Sequence, residues 1–307
     1  MSWLSPRAVR RRPAKLQTAL RPRLATLELE SRINPTNILQ YHVDVGSTGV
    51  NNSETLLTPS NVNANQFGKL YQIQVQGQVY AEPLVETAIN ITTGPNQGMH
   101  NVVFVATQHD QLYAFDADYN PATQTTSQQL LWQRSFLSDT NNTNPGDLLA
   151  GNSGVTTVPQ SAVISSDVTV EIGIMSTPVI DPATGTIYVL AKTAETVSGT
   201  VHYVQRLYAV NVQNGTDKAA PFLLGDTTFN GSTYVNYASE PRNSSTASSQ
   251  IWTYGNGNGT NDRIVDPYGG TGRNVVLFNA LREGQRPGLT LVNGVIYIAW
   301  ASHGDNG

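Results

Sequence analysis

Two short segments carry the side chains best suited to chemistry. His109-Asp110 and His303-Gly304-Asp305-Asn306 each place an imidazole beside a carboxylate, and the second adds an amide. Such a set suits a divalent cation or acid–base work, because a ring nitrogen can ligate or carry a proton while the carboxylate supplies charge. His109 stands five residues after Phe104 and His303 six after Tyr297, each following an alternating apolar run. The competing reading is that polar turn residues recur because a structural unit recurs. The corresponding stretch between them, Lys192-Thr193-Ala194-Glu195, has no histidine, which favours that second reading. His109, Asp110, His303, Asp305 and Asn306 are the candidate ligand-binding residues, and no catalytic or metal set is assigned.

Other chemistry is weaker. Asp116-Ala117-Asp118-Tyr119-Asn120 begins like a calcium loop but lacks the glycine at its sixth position and the glutamate at its twelfth, so Asp116 is expected to cap a turn. Glu171 lies in an apolar run and needs a partner if buried; Arg206 is the expected one, as a structural pair. Trp132, Trp252 and Trp300 could stack on a planar ligand, but packing is the default use of tryptophan. There is no Gly-x-Ser-x-Gly elbow, His-Glu-x-x-His helix or Walker loop, and Gly269-Gly270-Thr271-Gly272 fails as a dinucleotide fingerprint.

The elements that hold these residues repeat. Val103-Phe104-Val105-Ala106 followed by Leu112-Tyr113-Ala114-Phe115-Asp116 reads as a hairpin, preceded by Ala81-Glu82-Pro83-Leu84-Val85 and a long connection over residues 87–100. A second copy runs from Ser176-Thr177-Pro178-Val179-Ile180 to Ile187-Tyr188-Val189-Leu190 and, after an insertion, to Leu207-Tyr208-Ala209-Val210-Asn211. A third joins Leu289-Thr290-Leu291-Val292 to Val295-Ile296-Tyr297-Ile298 through Asn293-Gly294, the strongest short hairpin signal. The step from Pro178 to Tyr188 and from Pro287 to Tyr297 is 10 residues, which predicts one shared register. Residues 67–76 are expected to start the sheet region, and short strands are expected over residues 232–238 and 250–254.

These motifs resemble the pyrroloquinoline-quinone-type β-propeller repeat, of the quinoprotein alcohol dehydrogenase-like superfamily, whose third strand reads roughly Leu-Tyr-Ala-Phe-Asp and whose fourth often carries tryptophan. Residues 112–116 with Trp132 fit it well; residues 207–211 fit less well, with Asn211 in place of aspartate. The phrases around His100, Ser176 and Gly294 look like a bacterial branch of that superfamily. The resemblance implies an all-β propeller of four-stranded blades, here partial at about two and a half blades (about 66–136, 171–224 and 275–307), after a disordered basic leader or arm at residues 1–40. Such a count implies an N-terminal fragment of a longer propeller, or a ring completed by another chain. The stretch from Arg21-Pro22-Arg23-Leu24 to Ser31-Arg32-Ile33-Asn34-Pro35 resembles a leader of bacterial surface proteins, which implies export to the cell envelope or beyond.

Composition bounds the function. Cysteine is absent, which removes disulfides and thiolate metal sites. Residues 1–40 carry a net charge of +6 against −10 for the remainder, so the propeller body is no match for a nucleic-acid backbone. No apolar run is long enough for a transmembrane segment. Two readings remain. One is a non-catalytic scaffold or binding module for a protein or carbohydrate ligand, with no cofactor. The other, implied by the resemblance, is a dehydrogenase using pyrroloquinoline quinone and calcium; such enzymes hold the quinone with a tryptophan floor, a Glu/Asn/Asp calcium set and commonly vicinal cysteines, none of which can be matched here residue by residue.

Overall fold

Alternating β-branched and aromatic runs punctuated by Gly, Asn and Asp turns give an all-β protein. The computed structural model describes residues 36–55, 57–65, 67–138, 148–163, 165–166, 168–237, 251–255, 263–265 and 274–303. Among them are eighteen strands and two single-turn 3-10 helices.

The first expected unit is a four-stranded antiparallel meander in the order β1-β2-β3-β4: β1 Leu84–Ile91, β2 Gly98–Thr107, β3 Gln111–Asp116 and β4 Leu130–Ser135. The connection expected over residues 87–100 is therefore mostly strand. A register shift between Glu86 and Ile89 marks a bulge, with Ala88 at φ 58°, and it lets β1 continue to Ile91. Residues 67–76, by contrast, form no strand. Leu70 is 85% exposed, but Tyr71, Ile73 and Val75 are half-buried and Gln76 N–H donates to the Tyr113 hydroxyl of β3 at 3.1 Å, so the segment touches the first sheet without pairing into it.

The second unit is larger than expected. Its core is β7 Val179–Asp181, β8 Thr186–Val197, β9 Thr200–Asn211 and β10 Phe222–Phe229. The insertion expected after Leu190 is the far half of one β8–β9 ribbon, paired without a break from Thr186↔Asn211 to Val197↔Thr200. Its polar interior hides it from apolar periodicity, since Thr193, Glu195, Gln205 and Arg206 are all buried. Where β7 ends, β5 Asn152–Pro159 takes over the same edge of β8 and pairs with β6 Glu171–Ile172; on the far side β11 Tyr234–Tyr237 pairs with β10. The sheet is thus seven-stranded and curled. β11 falls within the strand expected over residues 232–238, whereas β5 is the element that polar, turn-rich sequence concealed.

Smaller sheets complete the fold: β12 Trp252–Tyr254, β13 Arg263–Val265 and β14 Asn274–Leu277; β15 Glu283–Gly284 with β18 Ala301–Ser302; and the hairpin β16 Thr290–Val292 with β17 Val295–Tyr297. Asn293 at φ 52° and Gly294 at φ 77° make the expected two-residue turn. The shared register does not hold. Val179 faces Tyr188, the residue after Pro178, but Thr290 faces Tyr297, three after Pro287. The turn of the second copy is two residues longer, and an even offset keeps the same residues on the same face.

Residues 36–40, placed with the basic arm on sequence, belong to the sheets. Ile38 exchanges both main-chain hydrogen bonds with Val85 (2.8 and 2.9 Å), and the Leu39 carbonyl accepts from Ile180 N–H at 2.7 Å. Both side chains pack on the main core, which draws on both large sheets: Phe104, Leu112, Trp132 and Phe136 from the first, Ile180, Ile187, Val189 and Tyr208 from the second. Trp132 makes the joint. Its Nε1 donates to the Val212 carbonyl at 2.9 Å, and a Cβ on Gly215 (φ 74°) would lie 2.7 Å from its ring.

Candidate functional site

The three-residue loop Gln108-His109-Asp110 joins Thr107 of β2 to Gln111 of β3. Closing so short a hairpin needs a left-handed residue, and Asp110 takes that place at φ 48°. Its N–H donates to the Thr107 carbonyl at 3.1 Å, and its own carbonyl accepts from Phe136 N–H at 2.9 Å. The side chain is fully buried, and the main-chain amide of Lys192 approaches its carboxylate without completing a well-formed hydrogen bond. The segment leading from β6 to β7 covers it: Gly173 N–H donates to Gln108 Oε1 at 3.0 Å, and a Cβ there would sit 2.3 Å from the Gln108 carbonyl and 2.8 Å from the Asp110 carboxyl. Desolvation holds the Asp110 carboxyl well above the usual carboxylate range; the nearby charge of Glu171 adds to this, while the Lys192 amide and side chain oppose it.

Lys192, from the middle of β8, is the residue that the neighbouring elements share. Its Nζ donates to the carbonyls of Leu281 (2.7 Å) and Glu283 (3.1 Å) and lies 3.1 Å from His303 Nε2. Burial lowers its pKa to about 7 against the opposing pull of Glu283 and Asp110. His303 is itself buried, its N–H donating to the Arg282 carbonyl at 2.9 Å. Gln205, paired with Lys192 across the ribbon, extends the junction. Its Nε2 donates to the carbonyls of Ala280 (2.9 Å) and Glu283 (2.7 Å), and its Oε1 accepts from Trp300 Nε1 at 2.9 Å.

The candidate residues therefore divide. His303 meets the side chain of Lys192, which occupies the position where the repeat lacks histidine, and Asp110 lies near enough to feel that lysine's charge and its main-chain amide. His109 turns away: its Nδ1 lies 3.0 Å from Glu171 Oε2, on a side chain 37% exposed. Asp305 and Asn306 lie outside the described residues. Glu171 also accepts from Thr157 Oγ1 at 2.8 Å, so its partners are His109 and Thr157, and Arg206 instead forks onto the buried Glu195. β8 and β9 place Glu195 and Arg206 on one buried face, whereas Glu171 sits on β6 at the sheet's other end.

Chemically, Lys192 and His303 stand within reach of a proton transfer, and the lysine also donates to the Leu281 and Glu283 carbonyls, which ties β8 to the segment around β15. Among the described residues, no group of three His, Asp or Glu side chains is placed to hold a metal ion. Asp116 caps its turn, accepting from Asp118 N–H at 2.9 Å, and receives His100 Nδ1 at 3.1 Å. Each of the three candidate tryptophans packs on protein groups. Trp132 is fixed at Val212, Trp252 stands edge-on to Tyr254 and Trp300 edge-on to Phe278. The described residues thus do not fit the tryptophan floor and carboxylate set that quinone and calcium require.

A second polar feature carried no motif. A groove of about 400 Å³ opens between β1 and the turns after β7 and β9, lined by Glu86, Asn90, Thr184, Gln213 and Lys218 among others. Its one sequence signal is a glutamate inside the apolar run Leu84-Val85-Glu86. Comparison with family models, curated proteins and solved structures returned no match to this chain.

Proposed function

We propose that the chain is a non-catalytic binding module whose four-stranded units are propeller blades of the pyrroloquinoline-quinone repeat type, exported to the cell envelope or beyond, with a protein or carbohydrate ligand. The blade reading is supported by the β1-β2-β3-β4 meander, by the β7-β8-β9-β10 order of the second unit and by Trp132 seated on Gly215 of the adjoining sheet. The observation that carries the functional reading is the coordination of Lys192. A lysine with its pKa near 7 would make a good base or nucleophile, yet its nitrogen is enclosed and committed to two main-chain carbonyls and His303. Such a group holds sheets together; an enzyme would present it to a substrate.

The test is reconstitution of the full chain with pyrroloquinoline quinone and calcium. The binding-module reading predicts no saturable quinone absorbance and no alcohol-dependent dye reduction. Stoichiometric quinone uptake with turnover would overturn it.

A further inference from the structure

The groove beside β1 holds an acid without a counter-charge. Glu86 is only 7% exposed, and its Oε2 has no hydrogen-bond partner. The bulge just after it explains why it points there: Thr87 N–H is taken by Asn37 Oδ1 and Ala88 N–H by Asn101 Oδ1, which fixes the kink. A second carboxylate, Asp181, lies near enough to hold the Glu86 pKa up in addition to burial. Asp181 is itself bound by Thr184 Oγ1 (2.7 Å) and Ala183 N–H (3.1 Å). Lys218, the lysine lining the groove, donates its Nζ to the Thr184 carbonyl on the other rim. The groove therefore offers acid, amide and carbonyl oxygens and needs a donor that carries positive charge.

We propose that this groove is a binding site for an organic cation, a guanidinium or ammonium group presented free or on a partner's side chain. The proposal rests on the binding-module reading and names the chemistry of its ligand. A guanidinium would supply the donor that Glu86 Oε2 lacks, through a charge-assisted bond to a carboxylate that is itself largely buried. An opposite charge favours the ionised carboxylate, so a bound cation counters the upward shift that burial and Asp181 impose on Glu86.

Calorimetric titration of the full chain with L-arginine amide, with an acetyl-Gly-Arg-Gly amide peptide and with L-citrulline amide tests this. Saturable binding of either arginine probe supports the site, and the one bound more tightly identifies the source as free or side-chain. Affinity should fall as pH is lowered and Glu86 takes up its proton. Glu86→Gln should weaken binding at least about tenfold while keeping the melting temperature at or above the parent's. Lys218→Ala, at an exposed position, should tighten it. Equal binding of citrulline amide, an unchanged affinity in Glu86→Gln, or no saturation by either arginine probe would overturn the assignment. These outcomes leave the quinone experiment untouched, so the groove and the binding-module reading can fail separately.

Discussion

A buried carboxyl and a buried amine near neutrality give the protein opposing pH responses. Asp110 binds its proton more tightly folded than unfolded, so its contribution to stability falls as pH rises from about 4 towards its raised pKa. Asp110→Asn keeps a residue that tolerates positive φ and removes the carboxyl. It should therefore raise stability by about 1–3 kcal/mol at pH 8 and flatten that fall, as measured by urea unfolding at pH 5 and pH 8. Gly173→Ala should cost roughly 2–4 kcal/mol in the same assay, because its Cβ would collide with the Gln108 carbonyl and the Asp110 carboxyl. The turn residues themselves were legible: short polar types after an apolar run announce a turn, and the recurrence of histidine drew attention to the right part of the fold. Lys192 aligns with them but looks like a break in the pattern, since residue type alone does not reveal that a lysine in an apolar strand will find carbonyls to receive it. Glu171 and Arg206 were mispaired for the same reason: a buried charge announces that it needs a partner, and only the strand order says which one.

Hairpins were the most legible elements. Asn293-Gly294 imposes its turn through backbone sterics alone, and Gly294→Ala, at φ 77°, should cost about 1 kcal/mol, visible as a lower denaturation midpoint with an unchanged slope. Register was less legible, because a ten-residue step between matching residues does not distribute itself between strand and turn; Pro182-Ala183-Thr184-Gly185 takes four residues where Asn293-Gly294 takes two. The far half of the β8–β9 ribbon was missed because its buried face is polar. Glu195 receives Arg206, Thr193 Oγ1 and Leu149 N–H, and such mutual satisfaction carries no hydrophobic period. Over residues 67–76 the alternation does half-bury Ile73 and Val75, but no strand forms, because periodicity states which face is covered and not whether a neighbouring strand is free to pair.

At the scale of the whole molecule, two kinds of joint link the sheets. One is apolar, with Trp132 of β4 against Gly215, beside the buried Arg134–Asp217 pair at 2.8 Å. Gly215→Ala meets both a positive φ and the tryptophan ring, and should destabilise by roughly 3 kcal/mol in thermal or urea unfolding, more than the same change at the exposed Gly294 turn. The other joint is polar and belongs to Lys192. The claim that this lysine ties sheets together is tested most directly by urea unfolding of the parent and Lys192→Met between pH 6 and pH 10. A lysine whose folded pKa lies near 7, below its unfolded 10.5, leaves the unfolded chain binding more protons in that window, so its contribution to stability grows as pH rises. The methionine variant keeps the volume, leaves the Leu281 and Glu283 carbonyls without their donor and loses the titration. The account predicts a deficit of about 2–4 kcal/mol at pH 9 that narrows towards pH 6. Equal stability of the two proteins at pH 9, with parallel pH profiles, would contradict it.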